Sequence, residues 1–181
     1  MKILHRLRGE METPRLLLRR WKPLDFQAFL RFAGDPEVML PAGSRPAQGL
    51  QEAETQFHRA LRDEGCYAMV LKGTGEPIGK IKFQEDLRRF RVNSLSIGYE
   101  LARAYWGRGL MTEALRAMLE FAFVRLHLNR VEAMFDVRNR ASGRVMEKCG
   151  MRREGLLRQK LYNKGEYVDV EIWAILARDR R

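Results

Sequence analysis

Leu16 and Leu18 share one face of the segment ETPRLLLRRW, with Pro14 just ahead, and this two-residue period predicts a first strand. Asp25 then stands where a helix N-cap belongs, before FQAFLRFAG, which Gly34 and the turn Asp35-Pro36 close. Residues 41–49 are polar and rich in Pro and Gly, a loop. LQEAETQFHRALRDEG follows with helical spacing and stops at Gly65. CYAMVLKG turns at Thr74-Gly75-Glu76-Pro77 into IGKIKFQED, and a basic connection leads to NSLSIGYEL, three strands in a meander. MTEALRAMLEFAFVRLHL is apolar on most sides at helical spacing and predicts a central, buried helix. RVEAMFDV reads as a strand, ASGRVMEKCG as a short helix with Gly150 at C′, and MRREGLLRQ as a strand. YVDVEIWAIL, alternating Val168, Val170 and Ile172, closes the sheet.

The order is β-α-α-β-β-β-α-β-α-β-β, an α+β domain of about seven strands and about four helices. No repeat, low-complexity tract or linker divides it. Residues 12–181 form a single domain. Residues 1–11 fit the pattern poorly and read as an N-terminal extension, with Met11 as an alternative start.

Composition narrows the class. At 181 residues, 45% hydrophobic and 31% charged, the chain has enough apolar surface for one packed core. No apolar run approaches the roughly 20 residues of a membrane span, and MKILHRLRGEME has no apolar export core. Two distant cysteines (Cys66, Cys149) and three histidines make neither a disulfide framework nor a zinc site. The expectation is a cytoplasmic protein without a metal. The net charge of +11 is uneven: residues 1–20 carry six Lys/Arg against two acids and residues 138–164 nine against two, which leaves the remainder balanced. Such surface attracts phosphates and anionic partners, and it is equally the solvated face of an arginine-rich protein.

The chemistry sits in IGYELARAYWGRGLMTEALRAMLEF, where a strand passes into a helix through Gly107 and Gly109. Residues without a Cβ turn tightly and let a bulky anion approach the backbone. The unpaired N–H groups of the first helical turn and the dipole's positive end then favour a pyrophosphate. A turn that needs two glycines for geometry alone is nearly as common. A Walker loop is excluded by the lack of Gly-Lys-Ser/Thr, and a dinucleotide fingerprint by the missing third glycine and the meander.

These stretches, together with VRNRASGRVMEKCGMRREGLLR and YVDVEIWAIL, resemble the GCN5-related N-acetyltransferase (GNAT) superfamily, in its RimJ/RimL-like branch of ribosomal-protein N-terminal acetyltransferases. Four motifs in the family's order frame the chain from Glu12 on. The resemblance implies a mixed, mostly antiparallel twisted sheet that splays between its fourth and fifth strands, and acetyl-CoA as cosubstrate. The family motif [QR]xxGx[GA] falls on Ala104 to Gly109, with Ala104 in the Gln/Arg position. By this resemblance Trp106, Gly107, Arg108, Gly109, Leu110, Met111 and Thr112 cradle the pyrophosphate. The strand end Gly98-Tyr99-Glu100-Leu101 splays from RVEAMFDV and flanks pantetheine, whose amides it pairs like an added strand. The family's Asn-x-x-Ser is Asn139-Arg140-Ala141-Ser142: the Asn meets the pantetheine arm and the Ser lies near the thioester sulfur. Asn139 is equally placed to cap the short helix. Arg140, Arg144 and Lys148 share a helix face, either a site for the 3′-phosphate or a solvated stripe.

The implied reaction is direct attack by an amine, without an acyl-enzyme. Glu100 is the first candidate for base, and Glu85, acting through water, the second. Many relatives carry a thiolate-protonating Tyr where this chain has Met146, which leaves that role to Ser142 or Tyr99. Some relatives place a carboxylate where this chain has Leu161; Glu166 and Asp169 are the nearby acids. The acceptor wall falls to residues 35–50 and 158–167. Arg158, Lys160 and Lys164 in the second segment suit an acidic or ribosome-associated peptide, although a small-molecule amine stays in the same class. Relatives are frequently homodimers. Two other classes remain: a CoA-binding regulatory module without catalysis, and a basic nucleic-acid- or ribosome-binding protein. The last lacks any helix-turn-helix, zinc-finger or RNA-binding signature.

Overall fold

The alternation around Leu16 and Leu18 forms a strand over Leu16–Arg20 in a computed structural model that describes residues 7, 9–85, 93–163 and 165–180. A two-residue strand, β1 (Met11–Glu12), precedes it and pairs Met11 with Leu18, so Leu16–Arg20 is β2. The sheet continues through β3 (Cys66–Leu71), β4 (Glu76–Glu85), β5 (Ser94–Leu101), β6 (Arg130–Asp136), β7 (Arg152–Asn163) and β8 (Glu166–Leu176). Its order is β1-β2-β3-β4-β5-β6-β8-β7, and every neighbouring pair is antiparallel except β5 and β6. The eighth strand, beyond the seven expected, is β1. Leu7 and Met11, from the segment read as an extension, both lie in the core, and Tyr67 donates its hydroxyl to the Leu7 carbonyl at 2.9 Å. The basic connection before β5 and Lys164 fall outside the described residues.

Five α-helices are described: α1 (Phe26–Ala33), α2 (Pro36–Met39), α3 (Leu50–Arg62), α4 (Leu110–Glu120) and α5 (Arg140–Lys148). α2 stands where the sequence predicts a turn at Asp35-Pro36. Pro36 opens it and the Asp35 carboxylate accepts the Glu37 N–H at 3.0 Å, so the turn closes as a single helical turn. Alternation divides the core into two layers. Leu16, Leu18, Tyr67 and Met69 face α4, with Ala114, Leu115 and Met118 opposite. Ala68 and Val70 face α1 and α3, where Trp21, Phe29, Phe32 and Phe57 pack, Trp21 edge-on to Phe29 at 5.4 Å between ring centroids. No helix among the described residues is long and apolar enough to cross a membrane.

Two local expectations need correction. Asp25 stands at the N-cap of α1, but its carboxylate does not cap it. It accepts the Lys22 N–H at 2.8 Å and pairs with Arg19 at 2.7 Å, a buried ion pair that outcompetes the helix end. The long central helix does not run to Leu128. It ends at Glu120 and widens into a π-turn over Phe121–Arg125, closed by Leu126 N–H to the Phe121 carbonyl at 3.2 Å. The wider turn brings both Leu126 and Leu128 into the core, which an unbroken helix would not do.

Candidate functional site

β5 and β6 run parallel for three paired positions only: Ser94 with Arg130, Leu95 with Val131 and Ser96 with Glu132. Beyond these, β5 stays with β4 and β6 with β8, so Tyr99–Leu101 and the Asp136 end of β6 draw apart. The gap opens into a cleft of about 780 Å³. This is the splay expected between the fourth and fifth strands of the sequence reading.

One wall is the turn from β5 into α4. Gly107 and Gly109 both have φ of +73°, the left-handed region that a Cβ disfavours, and Gly109 is the N-cap of α4. Leu101, Trp106, Gly107, Gly109, Leu110, Met111 and Thr112 all line the cleft. The N–H groups of Leu110, Met111 and Thr112 belong to the first helical turn, which has no intrahelical acceptors for them. Trp106 anchors the turn, its indole donating to the Leu101 carbonyl at 2.6 Å. Arg108 departs from the expectation. It does not line the cleft; its guanidinium lies 5.5 Å over the Tyr105 ring and its carbonyl accepts Arg15 Nη1 at 2.9 Å.

The sequence reading missed what holds this turn. Glu113 accepts the Thr13 hydroxyl at 2.6 Å, the Arg15 N–H at 2.8 Å and Arg15 Nε at 2.7 Å. Burial pushes the Glu113 carboxyl up, but these bonds outweigh it and hold the group below its ordinary value. Arg15 therefore ties the start of α4 and the glycine turn to β2. The pairs lie about a hundred residues apart in the chain, and local pattern carries no signal of them.

The opposite wall is α5 with the ends of β6 and β7. Asn139, Arg140, Ser142, Arg144 and Lys148 line the cleft, so the three cations do share its rim. Asn139 caps α5 through Oδ1, which accepts the Ser142 N–H at 3.1 Å, and it donates Nδ2 to the Pro41 carbonyl at 3.0 Å. Asn163 likewise donates to the Leu40 carbonyl at 3.2 Å. Residues 40–44 thus form a strap across the cleft's end, since Ser44 donates to Glu100 Oε1 on β5 at 2.6 Å.

Glu100, the first candidate for base, is buried and lines the cleft, and it is already engaged. Besides Ser44, Lys80 Nζ lies 2.8 Å from its Oε2. Burial alone would lower the Lys80 pKa; the Glu100 charge and hydrogen bond more than reverse this and raise it. Tyr99 also lines the cleft. Burial pushes its phenol well above the ordinary range, and its hydroxyl donates to the Ser142 carbonyl at 3.4 Å. Met146 is buried in the core. At the β6 end, burial raises the Asp136 carboxyl, but bonds from the Arg138 side chain and backbone prevail and lower it; Arg138 also pairs with Glu166. Asp169 accepts the Gln159 N–H at 2.8 Å. Glu85, Glu166, Asp169 and Leu161 are not among the lining residues. Burial pushes the Cys149 and Cys66 thiols up to about 11, so neither supplies a thiolate near neutral pH. No group of three or more His, Cys, Asp or Glu among the described residues is arranged to hold a metal.

A strand pair that parts over a left-handed glycine turn at a helix start is suited to an extended ligand with an anionic group at the turn, and the comparisons give the family. Residues 15–152 match the acetyltransferase (GNAT) domain, and the chain belongs to this family of N-acetyltransferases. It is similar to an uncharacterized N-acetyltransferase, p20, of Bacillus licheniformis: 31% identical over 173 residues, 92% of this chain and 96% of that one. An acetyltransferase of the GNAT family from Bacillus anthracis has the same fold, with a TM-score of 0.84 at 26% identity, covering 94% and 99% of the two chains. RimJ of Mycobacterium smegmatis, solved in complex with CoA-disulfide, matches with a TM-score of 0.74 at 25% identity, covering 94% and 87%.

Proposed function

We propose that this enzyme transfers acetyl from acetyl-CoA to a primary amine by direct attack in a ternary complex. The observation that carries the reading is the cleft itself, which joins the Gly107–Gly109 turn, the parted β5 edge and Ser142 in one continuous space. Its dimensions suit an extended cofactor arm. In this reading the pyrophosphate rests on the first-turn N–H groups of Leu110, Met111 and Thr112, with Trp106 beside it, and Arg144 neutralises further phosphate charge. Pantetheine pairs with the β5 edge at Leu101. That RimJ of Mycobacterium smegmatis was solved in complex with CoA-disulfide supports CoA as the carrier of the acetyl group.

The amine enters from the strap side. Glu100 takes the ammonium proton through a water, because Lys80 and Ser44 already contact its oxygens. Collapse of the tetrahedral intermediate breaks the C–S bond; the departing thiolate takes a proton from Ser142 or Tyr99, which regains one from the nitrogen of the intermediate as the amide forms. The raised thiols of Cys66 and Cys149 fit a route without an acyl-enzyme. A thiol-release assay against amines and free N-terminal peptides tests the reading. Turnover that drops about 100-fold in Glu100→Gln, with acetyl-CoA affinity kept, supports it. Cofactor binding without turnover on any amine points instead to a regulatory CoA module.

A further inference from the structure

Glu100 is 5% exposed, and its two oxygens stand differently toward the cleft that it lines. Oε2 is shut off from solvent and lies 2.8 Å from Lys80 Nζ on β4. The carboxylate can therefore act toward the cleft only through Oε1. That oxygen accepts the Ser44 hydroxyl at 2.6 Å, the short distance of a hydrogen bond to a charged group. Lys80 already offsets the Glu100 charge, so what the Ser44 bond adds is direction. It fixes rotation about the last torsion of the glutamate, which is broad when nothing constrains it.

The strap is built to hold this hydroxyl still. Ser44 N–H donates to the Met39 carbonyl at 2.9 Å and Gly43 N–H to the Leu40 carbonyl at 3.0 Å. Gly43 has φ of +71°, the left-handed conformation that a Cβ disfavours, and it reverses the chain just before Ser44. On the far side the Arg45 carbonyl accepts Gln56 Nε2 of α3 at 3.0 Å, Pro46 is buried, and Ala47 N–H donates to the Ala33 carbonyl of α1 at 2.8 Å. Asn139 and Asn163 hold Pro41 and Leu40 from the opposite wall. Ser44 is thus placed by three separate parts of the fold before any substrate arrives.

We propose that Ser44 is a positioning residue for the acetyl transfer: its hydroxyl pins Oε1 of Glu100 at the angle from which that oxygen takes the proton of the attacking amine through water. The proposal rests on the reading of Glu100 as the base. Ser44 is not among the residues that line the cleft, and it acts through Glu100 rather than on the substrate. Its bond occupies one acceptor position of Oε1 and leaves the other for the water that relays the proton.

The test is a double-mutant cycle in the full chain: wild type, Ser44→Ala, Glu100→Gln and the two combined. The substrates are acetyl-CoA and whichever of a panel of free-amine tetrapeptides and alkylamines the wild type acetylates, with kcat and both KM values measured. Ser44→Ala should lower kcat about 10-fold, the worth of one hydrogen bond to a charged group, with the acetyl-CoA KM unchanged. In the Glu100→Gln background the same change should cost less than about 2-fold, because no carboxylate is left to position. Ser44→Cys keeps the size of the side chain and weakens its donor, so it should fall with alanine and gives the same comparison if alanine loosens the strap. A merely structural role in the strap predicts equal losses in both backgrounds, or a raised acceptor KM with kcat kept, and either result overturns the proposal. So does full activity of Ser44→Ala and Ser44→Cys beside a crippled Glu100→Gln, which leaves Glu100 standing as the base. Full activity of Glu100→Gln, or no turnover of any amine in the panel by the wild type, overturns the base reading and the proposal with it.

Discussion

Lys80 Nζ sits 2.8 Å from Glu100 Oε2 beneath the cleft, with the lysine side chain 16% and the glutamate 4% exposed. Burying either charge alone is expensive, and the pair is tolerated because each offsets the other. Lys80→Met should therefore destabilise the fold by about 3–5 kcal/mol, seen as a lower Tm in scanning calorimetry. The lysine pKa is raised on folding, so its contribution is fully present below the unfolded value near ~10.4 and is lost only as pH rises through the folded value. The Tm gap between wild type and variant should stay constant from neutral pH into mild alkali. A gap that already closes between neutral pH and mild alkali would contradict the ion pair.

The Arg19–Asp25 pair gives the opposite pH signature. Burial raises the Asp25 carboxyl, but bonds from Arg19 and the Lys22 backbone prevail, so its pKa is lowered on folding. That stability is present above the unfolded value near ~3.9 and vanishes as pH falls through the folded value. Asp25→Asn leaves Arg19 buried and unpaired and should cost about 3 kcal/mol at neutral pH. The difference from wild type should shrink in acid below about pH 4. Urea unfolding at several pH values measures it.

Glu113→Ala removes the acceptor of Thr13 and Arg15 and frees the glycine turn from β2. Arg15 is 48% exposed on its side chain, so the stability loss should be small, under about 1 kcal/mol. The cofactor should suffer more than the fold, with a Kd for acetyl-CoA raised roughly 10-fold. Equal acetyl-CoA affinity in the variant would dismiss Glu113 as a positioning residue.

Cys66→Ala with Cys149→Ala should leave kcat within about 2-fold of wild type, since direct attack asks nothing of a thiol. Iodoacetamide should likewise leave the native enzyme active near neutral pH, where burial keeps both thiols protonated. Stoichiometric loss of activity with one labelled cysteine would restore an acyl-enzyme route.

Much of the frame was legible in local pattern. The alternation in YVDVEIWAIL and the Gly107–Gly109 pair before a helix each carry a physical signal within a few residues, and β8 and the α4 start stand where that signal put them. The contacts that shape the acceptor end were not legible. Asn139 reaches Pro41 across 98 positions, Asn163 reaches Leu40 across 123, and Ser44 reaches Glu100 across 56. No periodicity or spacing encodes such pairs; they exist only once the sheet has brought its two halves together. The π-turn at Phe121–Arg125 was hidden for another reason. Its residues are good helix positions one by one, and burial of Leu126 and Leu128 decides the widening.

Titration of acetyl-CoA into the wild type and into Gly109→Val, by calorimetry, tests the central claim most directly. Gly109 is left-handed at +73° and opens α4, so a β-branched side chain there strains the turn and crowds the anion site. The account predicts saturable one-to-one binding to the wild type with Kd below about 1 mM, weakened at least about 10-fold in a variant whose circular dichroism is native. No heat for the wild type near millimolar acetyl-CoA, or equal affinity in the folded variant, would contradict a cofactor held by this turn.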